Sequence, residues 1–205
     1  MPNGLLVHGH LRRFSIDNLT RQWVGRIGLA AVVGVAYFLA AGFSVRLLLK
    51  PEGVAVFWPA AGLSSGLLIV LRHARWSVLA GVIGATVATH LIIRDPLWAG
   101  IALGLCNAAE ALITAGLIQY YFGPGFNIVR LRNIVSLLAA AVVGTSVSGI
   151  GGAVTYRVMR GPSAPLLETW QHWFASDAIG IIAVCTDGDW ACCHCPATVL
   201  TERSH

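Results

Sequence analysis

Long apolar stretches follow one another along almost the whole chain, and charged residues fall mainly between them. A helix needs roughly 20 mainly apolar residues to cross the hydrocarbon core of a bilayer. Stretches of this kind occupy residues 27–49, 54–71, 76–93, 97–122, 134–156 and 170–184, the last being short for a full crossing. The sequence therefore predicts an all-α fold, a polytopic transmembrane bundle of about six helices.

The composition excludes a water-soluble domain. Charged residues make up 11% of the chain and hydrophobic residues 56%, whereas soluble domains carry about 25% charged residues. The net charge of +5 is scattered over short segments between the apolar stretches, so it indicates membrane topology rather than nucleic-acid binding. We expect the lipid bilayer as the main partner and no nucleic acid.

The basic residues also predict an orientation. Residues 1–26, 72–75 and 123–133 hold eight Lys and Arg, and the alternate side of the predicted bundle holds five. Basic residues favour the cytoplasmic side, so we expect a cytoplasmic N-terminus. Residues 1–26 are expected to form an amphipathic or irregular cytoplasmic lead-in, and the first apolar helix to serve as a signal anchor because no cleavage site follows the early arginines.

Small residues recur at four-residue spacing in three of the apolar stretches. This spacing permits close contact between helices in lipid, although it is common in any glycine-rich membrane helix. The positions are Gly62 and Gly66, Gly100 and Gly104, and Gly144, Ser148 and Gly152.

Two carboxyl groups lie inside apolar stretches, at Glu110 and Asp177. Asn107, Glu110 and Thr114 are spaced so that they share one face of a helix. Because a carboxylate near the bilayer centre costs several kcal/mol, these groups must be protonated, paired or turned toward a wet cavity. Two interpretations follow: a pocket for a ligand or ion, or hydrogen bonds that hold the helices together.

The aromatic residues near these carboxyls leave two interpretations open as well. Trp170, Trp173 and Asp177 share one helical face, which could close a pocket or belong to an aromatic belt at the membrane interface. Trp58, just before a proline, is expected at the interface. His90 is expected there too, rather than in a site.

Three segments together resemble the MASE1 family of bacterial membrane-associated sensor domains. They are Phe-Trp-Pro-Ala-Ala-Gly-Leu at 57–63, Asn-Ala-Ala-Glu-Ala at 107–111 and Trp-Gln-His-Trp-Phe-Ala-Ser-Asp-Ala-Ile-Gly at 170–180, in the family's order. The resemblance spans residues 27–184. It implies a multi-pass input module of the bacterial inner membrane, usually followed by a histidine kinase, a diguanylate cyclase or phosphodiesterase, or PAS domains.

The resemblance also indicates which positions to consider for a site. Pro59 and Gly180 are among the matching residues, and the candidate ligand-binding residues are Trp58, Asn107, Glu110, Trp173 and Asp177. The resemblance allows three kinds of partner, namely a small-molecule ligand, another membrane protein or a second copy of the chain. No cofactor is expected.

The apolar pattern stops at residue 184, and residues 185–205 form a cysteine-rich segment. Four of the five cysteines lie there, with His194 among them. Cys and His can bind zinc, but Cys192 and Cys193 are adjacent and lack the usual spacing of zinc ligands. We therefore expect an unstructured tail without metal. Since the family continues through further membrane helices into an output domain, this end is expected to reflect a truncated gene or a shifted reading frame.

The leading hypothesis is thus a sensory input domain of a bacterial signal-transduction protein, of histidine kinase or diguanylate cyclase type, without its output domain. The alternative is a small transporter or channel subunit that uses Glu110 and Asp177 for proton or cation coupling. An internal inverted repeat would favour that alternative, and none is evident. No nucleotide-binding, kinase or nucleophile motif is found, so we do not expect an enzyme.

Overall fold

The computed structural model describes residues 5–46, 57–123, 126 and 130–187, and over these residues it contains six α-helices and no strand. The predictions of an all-α fold and of about six helices are confirmed. A short 3-10 turn, Arg72–Ala74, links the second and third helices. The helices are α1 (Leu5–Arg46), α2 (Pro59–Val70), α3 (Arg75–Ile92), α4 (Leu97–Phe122), α5 (Leu131–Arg160) and α6 (Leu166–Asp187).

Proline and glycine mark several helix ends. Pro59 opens α2 and Pro96 precedes α4, because a proline at a helix start lacks only an N–H that would have no partner there. Gly123 and Gly161 end α4 and α5 with φ angles of 58° and 97°. A positive φ is readily available to glycine, so both helices stop where the sequence supplies one.

Four helical stretches in the described part of the chain are long and apolar enough to cross a membrane. They are Thr20–Ser44, Arg72–Ile92, Leu97–Phe122 and Leu131–Arg160. The second predicted span, 54–71, is only partly matched, since α2 begins at Pro59 and residues 47–56 lie outside the described residues. α2 is about 18 Å long, compared with a hydrocarbon core of about 30 Å. α6 has 22 residues, but it is less apolar than these four stretches and is not counted among them.

The first helix is longer than the sequence predicted. α1 runs without a break from Leu5 to Arg46, so residues 5–26 are helical and continuous with the first span. The irregular form of the proposed lead-in is therefore wrong for these residues. The cause is compositional, because between Leu5 and Arg26 there is no proline to interrupt a helix.

The helices pack in an order that places α2 inside the bundle. α1 packs against α3, α3 against α4, α4 against α5 and α5 against α6, while α2 contacts α1, α3, α4 and α6. No residue of α2 is exposed. Gln119 of α4 donates a hydrogen bond of 2.7 Å from Nε2 to the Leu68 carbonyl oxygen near the C-terminus of α2. A short apolar helix is thus enclosed by longer ones.

Close helix contact at small residues, predicted from their spacing, is confirmed. The α2–α6 contact is the tightest, because a Cβ at Gly62 would collide with the Gly180 carbonyl oxygen and a Cβ at Gly180 with the Trp58 carbonyl oxygen. A Cβ at Gly144 would likewise collide with the side chain of Thr114 on α4. In lipid, contacts of this kind replace the hydrophobic effect as the source of helix association.

The last helix extends past the predicted end of the membrane domain. α6 continues to Asp187, and Cys185 is 3% exposed, with its Sγ 3.7 Å from the Gly62 carbonyl oxygen. Cys185 therefore belongs to the packed bundle and not to a tail. Residues 188–205, which include the other three cysteines of the cluster, lie outside the described residues.

We expect Gly180→Ala to lower the thermal stability of the detergent-solubilised protein by the equivalent of about 1–3 kcal/mol, the usual range for overpacking. The added methyl group meets the backbone of Trp58, which cannot move without shifting α2. The control is Gly116→Ala on α4, where a Cβ meets nothing within 4 Å and alanine favours the helix by up to about 1 kcal/mol. Equal melting temperatures for the two variants would contradict the close contact.

Candidate functional site

Glu110 and Asp177 meet in the middle of the bundle. Glu110 is 1% exposed and Asp177 is 3% exposed, and their carboxyl groups lie within hydrogen-bonding reach of each other. Ser148 of α5 donates a hydrogen bond from Oγ to Glu110 Oε2. The carboxyl pair, as we call Glu110 and Asp177, thus joins α4, α5 and α6.

The surroundings of Asp177 consist mainly of groups that can donate hydrogen bonds. Ser176 Oγ lies 3.2 Å from Asp177 Oδ1 and 3.1 Å from the Trp173 carbonyl oxygen, so its one hydrogen has two acceptors in reach. The Trp173 indole lies beside the carboxyl group. Asp177 Oδ2, by contrast, receives no hydrogen bond from the described donors, and Trp173 Nε1 has no acceptor. Buried polar atoms normally have partners, so this side of the pair has unused hydrogen-bonding capacity.

A second group of polar side chains lies next to the pair, between α1, α3 and α4. Asn107 donates from Nδ2 to Thr86 Oγ1 at 3.3 Å. The Tyr37 hydroxyl lies beside Thr86 and Trp58, close enough to both carboxyls to feel their charge, and it has no well-aligned partner. Asn107 therefore shares a helical face with Glu110, as predicted, but bonds to a different helix.

The start of α2 reaches this polar centre. The Trp58 backbone N–H donates to the Ser176 carbonyl oxygen at 3.2 Å, one residue from Asp177 and near the middle of α6. The interfacial position expected for Trp58 stays a prediction, and the structure adds that the Trp58 backbone contacts the middle of α6. A helix N-terminus carries a partial positive charge, so the start of α2 favours negative charge nearby.

The two tryptophans of α6 pack against α5. Trp170 donates from Nε1 to the Ser146 carbonyl oxygen at 3.2 Å, and the Trp173 ring lies over Gly152, where a Cβ would collide with it. Trp173 also meets Tyr156 edge to face, with 6.0 Å between ring centroids. The Trp173 ring therefore closes one side of the carboxyl pair, and the aromatic belt at the membrane interface stays a prediction.

No cation balances the two carboxyls among the described residues. The groups that act on them are each other, Ser148, Ser176 and Trp173. His90, which the sequence placed outside any site, pairs with Asp95 at 2.7 Å at the end of α3. The described residues also contain no cluster of three or more His, Cys, Asp and Glu that could hold a metal ion.

The structure thus unites Glu110, Asp177 and Trp173, and places Trp58 and Asn107 in the adjoining polar group. Sequence reasoning did not select Tyr37, Thr86 or Ser148 for the site. Ser148 was recognised only as a small residue for close packing, which it also provides. The sequence did contain a signal for Tyr37, because it is a tyrosine within the very apolar first span. A buried phenol needs a hydrogen-bond partner, which points to a polar neighbour.

A separate crevice of about 540 Å³ lies between α4 and α5. It contains neither carboxyl. Its lining is mostly apolar and includes Phe122 and Arg132, whose guanidinium carbon is 5.7 Å from the centre of the Phe122 ring. The crevice and the carboxyl pair are therefore distinct features of the α4–α5 contact.

Comparison with known proteins supplies the family. The sequence model of MASE1 matches residues 27–186. The chain belongs to the MASE1 family, which consists of membrane-associated sensor domains. The match ends one residue before the end of α6 and includes both carboxyls and all the neighbouring polar residues. The chain matches no curated protein and no solved structure.

Within this MASE1 domain, we expect Ser148→Ala to lower stability by about 1–3 kcal/mol, because it removes a hydrogen bond from the buried Glu110 carboxyl. Ser146→Ala is the matched control, since this side chain is half-buried on the same helix and should change stability by less than about 0.5 kcal/mol. Thermal unfolding in one detergent provides the measurement. Indistinguishable unfolding of the two variants would show that the Ser148 contact contributes nothing.

Proposed function

We propose that this MASE1 domain is the sensory input module of a bacterial signal-transduction protein, and that its signal acts at the carboxyl pair and its neighbours Trp58, Asn107 and Trp173. The observation that carries the proposal is the convergence of α4, α5 and α6 on two buried carboxyls without a cation. Such a centre has two states of different charge, and helix packing around it depends on which state is present.

The route to an output domain is α6. This helix carries Asp177 and Trp173 at the site and Gly180 at the close contact with α2. Because a Cβ has no room at Gly180, α6 and the start of α2 must move together. A change at the carboxyl pair is thereby passed to the end of α6, from which the further membrane helices of the family would carry it to a domain of histidine kinase or diguanylate cyclase type.

The test joins residues 1–187 to a diguanylate cyclase domain and measures cyclic di-GMP in bacterial cells. Glu110→Gln and Asp177→Asn mimic the protonated form of each carboxyl and should shift output in the same direction, by about 5-fold or more for a coupling of 1 kcal/mol or above. The control is Glu168→Gln, an exposed carboxyl on α6, which should leave output unchanged. Unaltered output in both site variants, with normal membrane levels, would refute the sensory role.

The same variants examine the alternative of a transporter or channel subunit. For this purpose the purified chain is placed in liposomes that contain a pH-sensitive dye. A sensor should not dissipate an imposed proton gradient, whereas a proton transporter should do so in a manner that Glu110→Gln abolishes. Such a flux would replace the sensory proposal.

We further propose a multi-pass location in the bacterial inner membrane with a cytoplasmic N-terminus. The excess of basic residues in residues 1–26, 72–75 and 123–133 supports this orientation. A phosphatase that is active only in the periplasm, fused after Arg130, should give little activity, and a fluorescent protein fused there should be bright. Strong phosphatase activity at this position would reverse the assigned orientation.

A further inference from the structure

We infer that Glu110 and Asp177 together form a proton-binding site that holds one proton between the two carboxyl groups, and that uptake or loss of this proton is the event that the domain senses. The inference deepens the proposed function by naming the ligand class. It begins from the electrostatics of the pair. Two ionised carboxylates within hydrogen-bonding reach cannot both remain charged without a compensating cation, since like charges at this distance disfavour ionisation of the second.

Burial makes the double charge still less favourable. Transferring one carboxylate from water into a protein interior costs several kcal/mol even after relaxation, and both members of the pair are at most 3% exposed. A single proton removes one of the two charges. It also creates a hydrogen bond between the carboxyls, and hydrogen bonds that involve an ionised group are roughly twice as strong as neutral ones.

The unpaired atoms of the site agree with this arrangement. Asp177 Oδ2 receives no hydrogen bond from a described donor, and a shared proton gives the two carboxyls a hydrogen bond to each other. The remaining single charge faces donors, namely the Ser148 and Ser176 hydroxyls and the Trp173 indole. The partial positive charge at the start of α2 adds to them. The site is thus suited to one negative charge.

A metal cation fits the same atoms poorly. Calcium takes six to eight oxygen ligands and magnesium needs an octahedral shell. The side chains also pack closely, with Thr114 and Ser148 at most 2% exposed. A proton needs neither additional ligands nor space.

The other titratable groups around the pair are neutral at neutral pH. α1 contributes Tyr37 and α4 contributes Cys106, both of which sense the Glu110 charge, and phenols and thiols ordinarily ionise above neutral pH. Trp58 just before α2, Thr86 of α3 and Ser148 of α5 also lie in this region, and none of them titrates. Tyr156 of α5 interacts with Arg160 and Asp95, away from the pair. The proton on the pair therefore decides the charge of the site.

Loss of the proton has a defined mechanical consequence. The carboxyls lie on α4 and α6, so two negative charges push these helices apart, and α2 moves with α6 because their backbones touch at Gly180. Proton loss at high pH should therefore increase the distance between Glu110 and Asp177. Proton uptake should restore the packed arrangement described above.

Infrared spectroscopy of the purified full chain in lipid nanodiscs tests this inference without any output domain. At pH 7 we expect the carbonyl band of one protonated carboxylic acid, which shifts in D₂O and disappears on titration to alkaline pH. The double variant Glu110→Gln/Asp177→Asn should lack the band, and Glu168→Gln should retain it. Ser148→Ala, which keeps both carboxyls, should move the band without removing it because one hydrogen bond to Glu110 is lost.

Three results would overturn the inference. One is the absence of the band from the wild-type protein at pH 7, and another is its persistence in the double variant. The third is a melting temperature that rises strongly with Na⁺ or K⁺ while the band is missing, which would identify a cation site instead. A normal titration of the band combined with unaltered cyclase output would leave the proton site in place and refute its sensory role, so the two proposals fail separately.

Discussion

The scarcity of water inside a lipid-embedded bundle governs this structure. A polar group there must find its partner within the protein, which explains why the described chain is helical throughout its membrane region. The same constraint acts on side chains. Asn107 bonds to Thr86, Glu110 accepts from Ser148, and the two carboxyls face each other, so these polar residues from four helices are gathered at one place.

The second requirement is close packing without a hydrophobic driving force between helices. Glycine makes this close packing possible where α2 contacts α6, because the absence of a Cβ at Gly62 and Gly180 lets the two backbones approach each other. This contact places the start of α2 beside the carboxyl pair. Packing and polarity are therefore coupled, since the helix that brings a partial positive charge to the site is held there by glycines.

This coupling gives the MASE1 domain a physical basis for the proposed signalling. A close contact between two helices could transmit a movement but could not start one. A buried carboxyl without such a contact could change its charge without moving a helix. Here Asp177 and Gly180 lie one turn apart on α6, so the titrating group and the close contact share one rigid element. A change of charge on α6 must be absorbed by α2, α4 and α5 together.

Much of the fold follows from periodicity and composition. Apolar stretches of membrane length predicted the helices, proline and glycine marked several of their ends, and the carboxyls at Glu110 and Asp177 could be selected because any buried charge in lipid is expensive. Helical spacing also placed Asn107 on the face of Glu110. These are local properties, and they depend only on neighbours along the chain.

The partners of those groups were decided by tertiary structure. Ser148 and Tyr37 lie far from Glu110 in sequence, and helical spacing predicts which face a residue occupies but not which helix covers it. The sequence did not indicate that the Trp58 backbone bonds to α6, and Cys185 resembled the start of a tail until α6 was found to continue past it. Interhelical distance is a property of the assembled bundle, so only the folded structure could place the two carboxyls together.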